Sequence, residues 1–293
     1  MQLYRVASGS DTPPQPSRSY PSSMTDAEWA VVAPLLARPA RPHGGRTPKH
    51  PLRAVVDAIR YLTRSGCAWR LLPGEFPPWQ TVYWWFAGWA ATGLLDQVHD
   101  ALREQTRLAE GRSPAPSAAV IDSQSVRAAD TVAKTSRGWD AGKKVNGRKR
   151  HIAVDTIGLL LAVVVTAACV QDRDGARPLL WRLRRDHRGI RLAWADAGYA
   201  GKLVAWAAQT LRLTLSIVRK RDAHTFEVLP RRWVVERTFA WISKHRRCVR
   251  DYERLPEHHE AMVKWAMIAL MTRRLARQHH RPTRRPAAQA MAA

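Results

Sequence analysis

At 293 residues, 45% of them hydrophobic, the chain can bury a sizeable core and hold two modest domains. Its 48 Lys and Arg against 24 Asp and Glu leave a formal charge of +24, an excess that repels itself unless a polyanion neutralises it. The longest apolar run, residues 159–170, is too short to span a bilayer; no secretory signal opens the sequence, and Cys67, Cys169 and Cys248 form no CxxC pair, so a reduced, cytoplasmic protein without a cysteine metal site is expected.

In chain order, residues 1–23 are rich in Pro and Ser and read as a disordered extension. Order is expected from Met24, where Thr25, Asp26 and Glu28 form a helix start before WAVVAPLL. Residues 38–51 read as a basic linker, and PLRAVVDAIRYLTRSG as a helix entered by Pro51 and closed near Gly66. The segment from Trp79 to Arg107 reads as helical with a break at Gly93. Residues 24–112 therefore make a small all-α unit, resembling a helix-turn-helix domain, with a Pro and Ser boundary at 111–117.

Beyond that boundary, residues 116–276 change pattern. AAVIDSQSV is a short strand, and RKRHIAV and LLLAVVV are two more around a turn at DTIG. Helix, strand, helix and strand follow in ARPLLWRLRRDH, GIRLAWADAGY, KLVAWAAQTLR and LTLSIVRKR, then a helix at 231–247 and a last one from EHHEAM onward. The expected fold is α/β, a mixed sheet flanked by helices. Residues 277–293 read as a flexible basic tail.

Carboxylates that emerge from buried strands invite a chemical reading, because acids are rarely buried without a reason. Asp122 follows AAVI and Asp196 follows IRLAWA. Asp155 reads as a turn residue, Asp172 and Asp174 as helix-start caps, and Asp140 as a solvated loop acid. Glu236 is a lone acid among Lys, Arg and three aromatics at 231–247. Locally it reads as a surface ion pair with Arg232 or Arg237, yet the apolar stripe Val235, Phe239 and Ile242 can press its helix onto the sheet. Two strand aspartates and a helix glutamate make a three-acid set suited to hard divalent cations such as Mg²⁺.

The blocks AVIDSQSVR, GRKRHIAVDTIGLLLAVVVTAA, QDRDGA, ADAGYAG and WVVERTFAWISKHRRCVRDYE resemble those of DDE transposases from bacterial insertion sequences, specifically insertion-sequence family five. MTDAEW, GGRTPKHPLRAVVDAIRYL, GCAWRLLP and FPPWQTVYWWF resemble that family's helical N-terminal block. The resemblance covers residues 24 to 275 or so. It implies an RNase H-like core that binds two divalent ions, Mg²⁺ or Mn²⁺, with Asp122, Asp196 and Glu236 as catalytic acids and metal ligands. It also implies that terminal inverted repeats and target DNA are the partners, handled by a homodimer or larger complex. In the family's Tyr, Arg, Glu, Lys signature Arg232 and Glu236 match, whereas Leu229 and Ser243 replace Tyr and Lys, and Lys244 is only a neighbour.

DNA contact is expected from two places. Gln80 and Tyr83 could enter a groove from the helix at Trp79, whose tryptophans 79, 84, 85 and 89 are expected in the core. Lys143, Lys144, Arg148, Lys149 and Arg150 form one basic run, and Arg232, Arg237, Lys244, Arg246 and Arg247 another, both suited to phosphates. A non-catalytic DNA-binding repressor, or another RNase H-like nuclease, would share the charge and the core.

Overall fold

The computed structural model describes residues 20–36, 49–218 and 233–279. Four helices come first: α1 (Asp26–Leu36), α2 (Leu52–Ser65), α3 (Trp79–Ala91) and α4 (Leu94–Ala109). The Thr25 hydroxyl accepts the Glu28 N–H at 3.1 Å and the Glu28 carboxylate accepts the Thr25 N–H at 3.2 Å, a reciprocal cap that starts α1. Gly66 (φ 77°) ends α2 and Gly93 (φ 74°) separates α3 from α4, both in the left-handed region that glycine enters without strain. Order precedes Met24: the Tyr20 ring stands 4.7 Å from Tyr61 and 5.3 Å from Phe76, with Ser22 and Ser23 buried. The expected disorder is thus corrected for 20–23; residues 1–19, most of the linker and the tail beyond His279 lie outside the described residues.

A six-stranded sheet follows, of β1 (Ala118–Arg127), β2 (Gly138–Asp140), β3 (Val145–Val154), β4 (Leu160–Ala167), β5 (Leu192–Ala195) and β6 (Thr214–Ile217). Its path is β2-β3-β1-β5-β6, with β4 also paired to β3. β3 pairs antiparallel with β1 and β4, whereas β1, β5 and β6 run parallel. The parallel half requires crossovers, and α5 (Asp172–Asp186) and α6 (Lys202–Leu211) supply them. These two bury Leu179, Leu183 and Leu203 against Ile121 and Ala153 on one face of the sheet. The other face carries α7 (Trp233–Ser243) and α8 (Pro256–His279). The mixed sheet flanked by helices is as the sequence indicates; β2, three residues with no apolar alternation, is not visible there.

On that second face one apolar cluster runs without interruption from Val120, Ile152 and Val163 through Phe239 and Trp265 to Val55, Phe86 and Leu102. Helices α1 to α4 therefore share a core with α8. Polar ties reinforce the join: Arg247 bonds the Cys67 carbonyl at 2.8 Å and Glu253 at 2.7 Å, and Arg107 pairs with buried Asp155. The boundary at 111–117 separates two patterns of secondary structure, not two cores. In α3, Val82, Trp85, Phe86 and Trp89 face inward at helical spacing, which turns Trp84 outward, 62% exposed. The core assignment expected for Trp84 is corrected accordingly, while half-buried Trp79 lies 5.1 Å beneath the Arg70 guanidinium.

Two features of this packing have measurable consequences. A Cβ on Gly175, in α5, would lie 2.2 Å from the buried His151 ring. Helix propensity favours Ala over Gly by about 1 kcal/mol, but overpacking costs about 1–3 kcal/mol. Gly175→Ala is expected to destabilise on balance, read as a lower urea midpoint with an unchanged slope.

Burial also pushes the His151 and His245 imidazoles down to about 4, and Arg64, Arg273 and Arg60 add to the effect at His245. Each folded-state value lies below that of an unfolded histidine, about 6.5. The unfolded chain therefore binds more protons between those limits, and stability falls as pH drops from about 6.5 to about 4. Each histidine contributes up to about 3 kcal/mol of that loss. Urea unfolding at pH 7, 5.5 and 4.5 should show it, and His245→Gln should flatten the profile.

Candidate active site and basic surface

Parallel pairing builds the site. β1 and β5 are in register at Ala118 with Leu192 and Val120 with Trp194. The ladder ends there, two residues before Asp122 on β1 and before Asp196, which follows the end of β5 at Ala195. There the Asp196 carboxylate accepts the Gly198 N–H at 2.8 Å and caps a single 3₁₀ turn, Ala197–Tyr199. That turn swings Tyr199 inward. Its phenol is pushed well above the usual tyrosine range by burial and by the negative charge of Asp122, Asp172 and Asp196. Tyr199 itself packs in the core on the α5 and α6 face of the sheet.

Asp172 and Asp174 do not take the capping role the sequence suggested: Gln171 is the N-cap of α5, no side chain bonds the helix's first N–H groups, and both acids lie in the first turn. Asp172 is engaged elsewhere. Its carboxylate accepts from Ser123 Oγ at 2.7 Å and Lys149 Nζ at 2.9 Å. Burial raises its pKa, but those bonds and charges outweigh burial and hold it below the usual carboxylate value. Asp140, read as a solvated loop acid, is buried: it accepts from Ser125 Oγ at 2.5 Å and from the Lys143 N–H at 3.0 Å. These acids are already engaged in holding the strands.

Glu236 lies in the first turn of α7 and is exposed. The side of the sheet it overlies follows from contacts. Phe239, one turn on, lies 5.8 Å from the Arg150 guanidinium, which bonds Gln124. Gln124 shares a strand face with Asp122. Thr238 bonds the Gly158 carbonyl at 2.7 Å, in the β3–β4 turn. Glu236 is about 200° around the helix from Thr238 and so points away from that turn. Among the described residues no group of three or more His, Cys, Asp or Glu stands close enough to hold a metal ion. The three acids expected from the sequence are therefore not gathered into one ligand cluster. As hard oxygen donors the aspartates suit Mg²⁺ or Mn²⁺.

The basic residues divide sharply. Arg148 is fully buried, bonded to Asp251 at 3.0 Å and to the Glu253 and Arg254 carbonyls at 2.8 and 2.9 Å. Arg150 bonds Gln124 and the Cys248 carbonyl, and burial lowers its pKa to about 10. Lys149 bonds Asp172 and the Val170 carbonyl, and Arg247 bonds Glu253. Arg237, half-buried, lies between Trp233 at 4.2 Å and Trp241 at 4.7 Å and bonds the Ile157 carbonyl. Tyr83 is half-buried against Trp69 and His258. The DNA contacts expected of Arg148, Lys149, Arg150 and Arg247 are corrected, since each is spent inside the fold, and Arg237 and Tyr83 are likewise engaged by packing. Gln80, Lys143, Lys144, Lys244 and Arg246 are exposed, whereas Arg232 and Leu229 lie outside the described residues.

A mixed sheet, antiparallel from β1 through β3 to β4 and parallel from β1 through β5 to β6, with helices on both faces, is an RNase H-like fold. Residues 113–272 match the family of the transposase DDE domain, and residues 24–99 match a family of transposases of the IS4/5 group. The chain belongs to the DDE transposases of the IS4/5 group. Two relatives from Burkholderia cepacia are similar to it. One, named as a transposase for insertion sequence element IS402, is 34% identical over 125 residues, 40% of this chain and 59% of that protein. The other, named as an IS402 uncharacterized 16.2 kDa protein, is 32% identical over 108 residues, 35% of this chain and 71% of that one. Domains of this family generally use divalent metal ions. No helix among the described residues is long and apolar enough to cross a membrane.

Proposed function

We propose that the chain binds the terminal inverted repeats of an insertion sequence, hydrolyses a phosphodiester at each end, and joins the freed 3′-OH to target DNA. The observation that carries this reading is the parallel register of β1 and β5, Ala118 with Leu192 through Val120 with Trp194, which continued by two residues leads to Asp122 and Asp196. Asp122 and Asp196 would hold the divalent cations, with Glu236 as third ligand brought down by α7. When bound, such cations lower the pKa of water and stabilise a departing 3′ oxygen.

The remaining steps belong to side chains. Lys143, Lys144, Lys244 and Arg246 hold phosphates electrostatically. Gln80, exposed on α3, is available to a groove. Ser123 donates to Asp172 and is not activated, so no covalent protein intermediate forms. Two ends must meet, and the working species is a dimer or larger assembly on DNA. A non-catalytic repressor would explain the charge but leaves the two aspartates without a use.

The test is incubation with DNA carrying the flanking inverted repeats, with Mg²⁺ or with EDTA, and mapping of 3′ ends. New 3′ ends at the repeat boundary, formed with Mg²⁺ alone, are expected; their absence with both would refute the proposal.

A further inference from the structure

The β2–β3 hairpin carries an exposed tryptophan that neither the core nor the acids use. Trp139 is 55% exposed and pairs across the hairpin with Asn146. Asn146 is six residues from Ile152, the partner of Asp122. Side chains alternate strictly along a strand, so Trp139 and Asp122 lie on the same face of the sheet, about 20 Å apart along it. Between them Arg148 and Arg150 are covered by the segment 248–254, which bonds both. Trp139 emerges beyond that cover.

The hairpin tip supplies a second observation. Lys144 has φ 52°, in the left-handed region that an L side chain enters at a cost of about 1–2 kcal/mol. Glycine would remove that cost, and Gly142 stands two residues away. Lys143 and Lys144 are both exposed, and neither ammonium forms an ion pair within 4 Å among the described residues; Asp140 accepts the Lys143 backbone N–H and turns inward to Ser125 and Lys149. Backbone strain of this kind clusters at ligand-binding turns, and here it sits beside an exposed indole.

We infer that the β2–β3 hairpin is a DNA-engaging finger in which Trp139 stacks on an unpaired or displaced base while Lys143 and Lys144 hold the flanking phosphates. This rests on the DNA reading of the site and adds a base-contacting residue to it. Duplex DNA offers an indole no free base face; a bulge or a single strand does. Cations alone would bind all forms by charge, so a preference for exposed bases must come from the ring.

The test uses the full chain in EDTA, so that binding is measured apart from cleavage. Three fluorescein-labelled probes are compared: a perfect 20-base-pair duplex, the same duplex with a central unpaired thymine, and oligo(dT). The wild type should bind the bulged and single-stranded probes more tightly than Trp139→Ala by roughly tenfold, as loss of one base stack implies. Binding to the perfect duplex should change less than twofold, and Trp139→Phe should restore most of the loss. A K143Q/K144Q variant should weaken all three probes and flatten the salt dependence. If Trp139→Ala binds all three as the wild type does, or loses all three equally, the finger is wrong and the proposed function stands. If the wild type binds none of the probes, both fall.

Discussion

Asp122→Asn is expected to remove end cleavage by at least on the order of 10³-fold while leaving DNA binding within about twofold. The substitution keeps size and hydrogen-bonding shape but deletes the charge that a cation needs. Asp122 stands in the middle of β1, whose backbone is fixed on both sides by β3 and β5, so the fold should survive. Rates measured with excess Mg²⁺ separate weakened metal affinity from lost chemistry, because the former recovers with concentration. Cleavage by the Asn variant within tenfold of wild type would remove Asp122 from the site. Asp172→Asn is the informative contrast. Its carboxylate is bonded to Ser123 and Lys149, so its loss should lower stability more than rate.

The largest stability effect is expected at Asp251. Its carboxylate pairs with Arg148 at 3.0 Å and His259 at 3.2 Å, and all three side chains are fully buried. Burial raises its pKa, but His259, the Glu253 N–H and Arg148 outweigh burial and keep it below the usual value. Asp251→Asn leaves the Arg148 guanidinium without its carboxylate in a region closed to water. Removing one member of such a buried pair costs about 3–5 kcal/mol, a large share of the stability of a domain this size. The loss should appear as a lower urea midpoint at pH 7. A change below about 1 kcal/mol would mean that water or a rearranged carbonyl satisfies Arg148 without help.

The same network explains what the sequence could and could not reveal. Apolar runs and the DTIG turn made β1, β3 and β4 visible, and Asp155 plays the turn role assigned to it, accepting the Ile157 and Leu159 N–H groups at 3.0 and 2.8 Å. Its pairing with Arg107, 48 residues earlier, was not visible. Nor was the fate of the basic run at 148–150. Cations on alternate sides of a strand look solvated until their partners are known, and the partner of Arg148 lies 103 residues away. Long-range burial decided which cations stay exposed, and local pattern carries no record of it. Asp122 and Asp196 drew a chemical reading because an acid directly after a buried apolar run is conspicuous at short range. Glu236 needed the resemblance, since on its own helix it reads as one half of a surface ion pair. The continuity of the core through α8 was hidden as well, because that helix is 147 residues beyond the end of α4.

Metal-switch rescue of Glu236→Cys probes most directly the requirement that this glutamate join the two strand aspartates around the cations. A thiolate binds Mg²⁺ poorly and Mn²⁺ better. End cleavage by this variant should vanish with Mg²⁺ and return in part with Mn²⁺, while Ser243→Cys, farther along α7, should behave as wild type in both. Undiminished Mg²⁺-dependent cleavage by Glu236→Cys would contradict a triad that includes this residue.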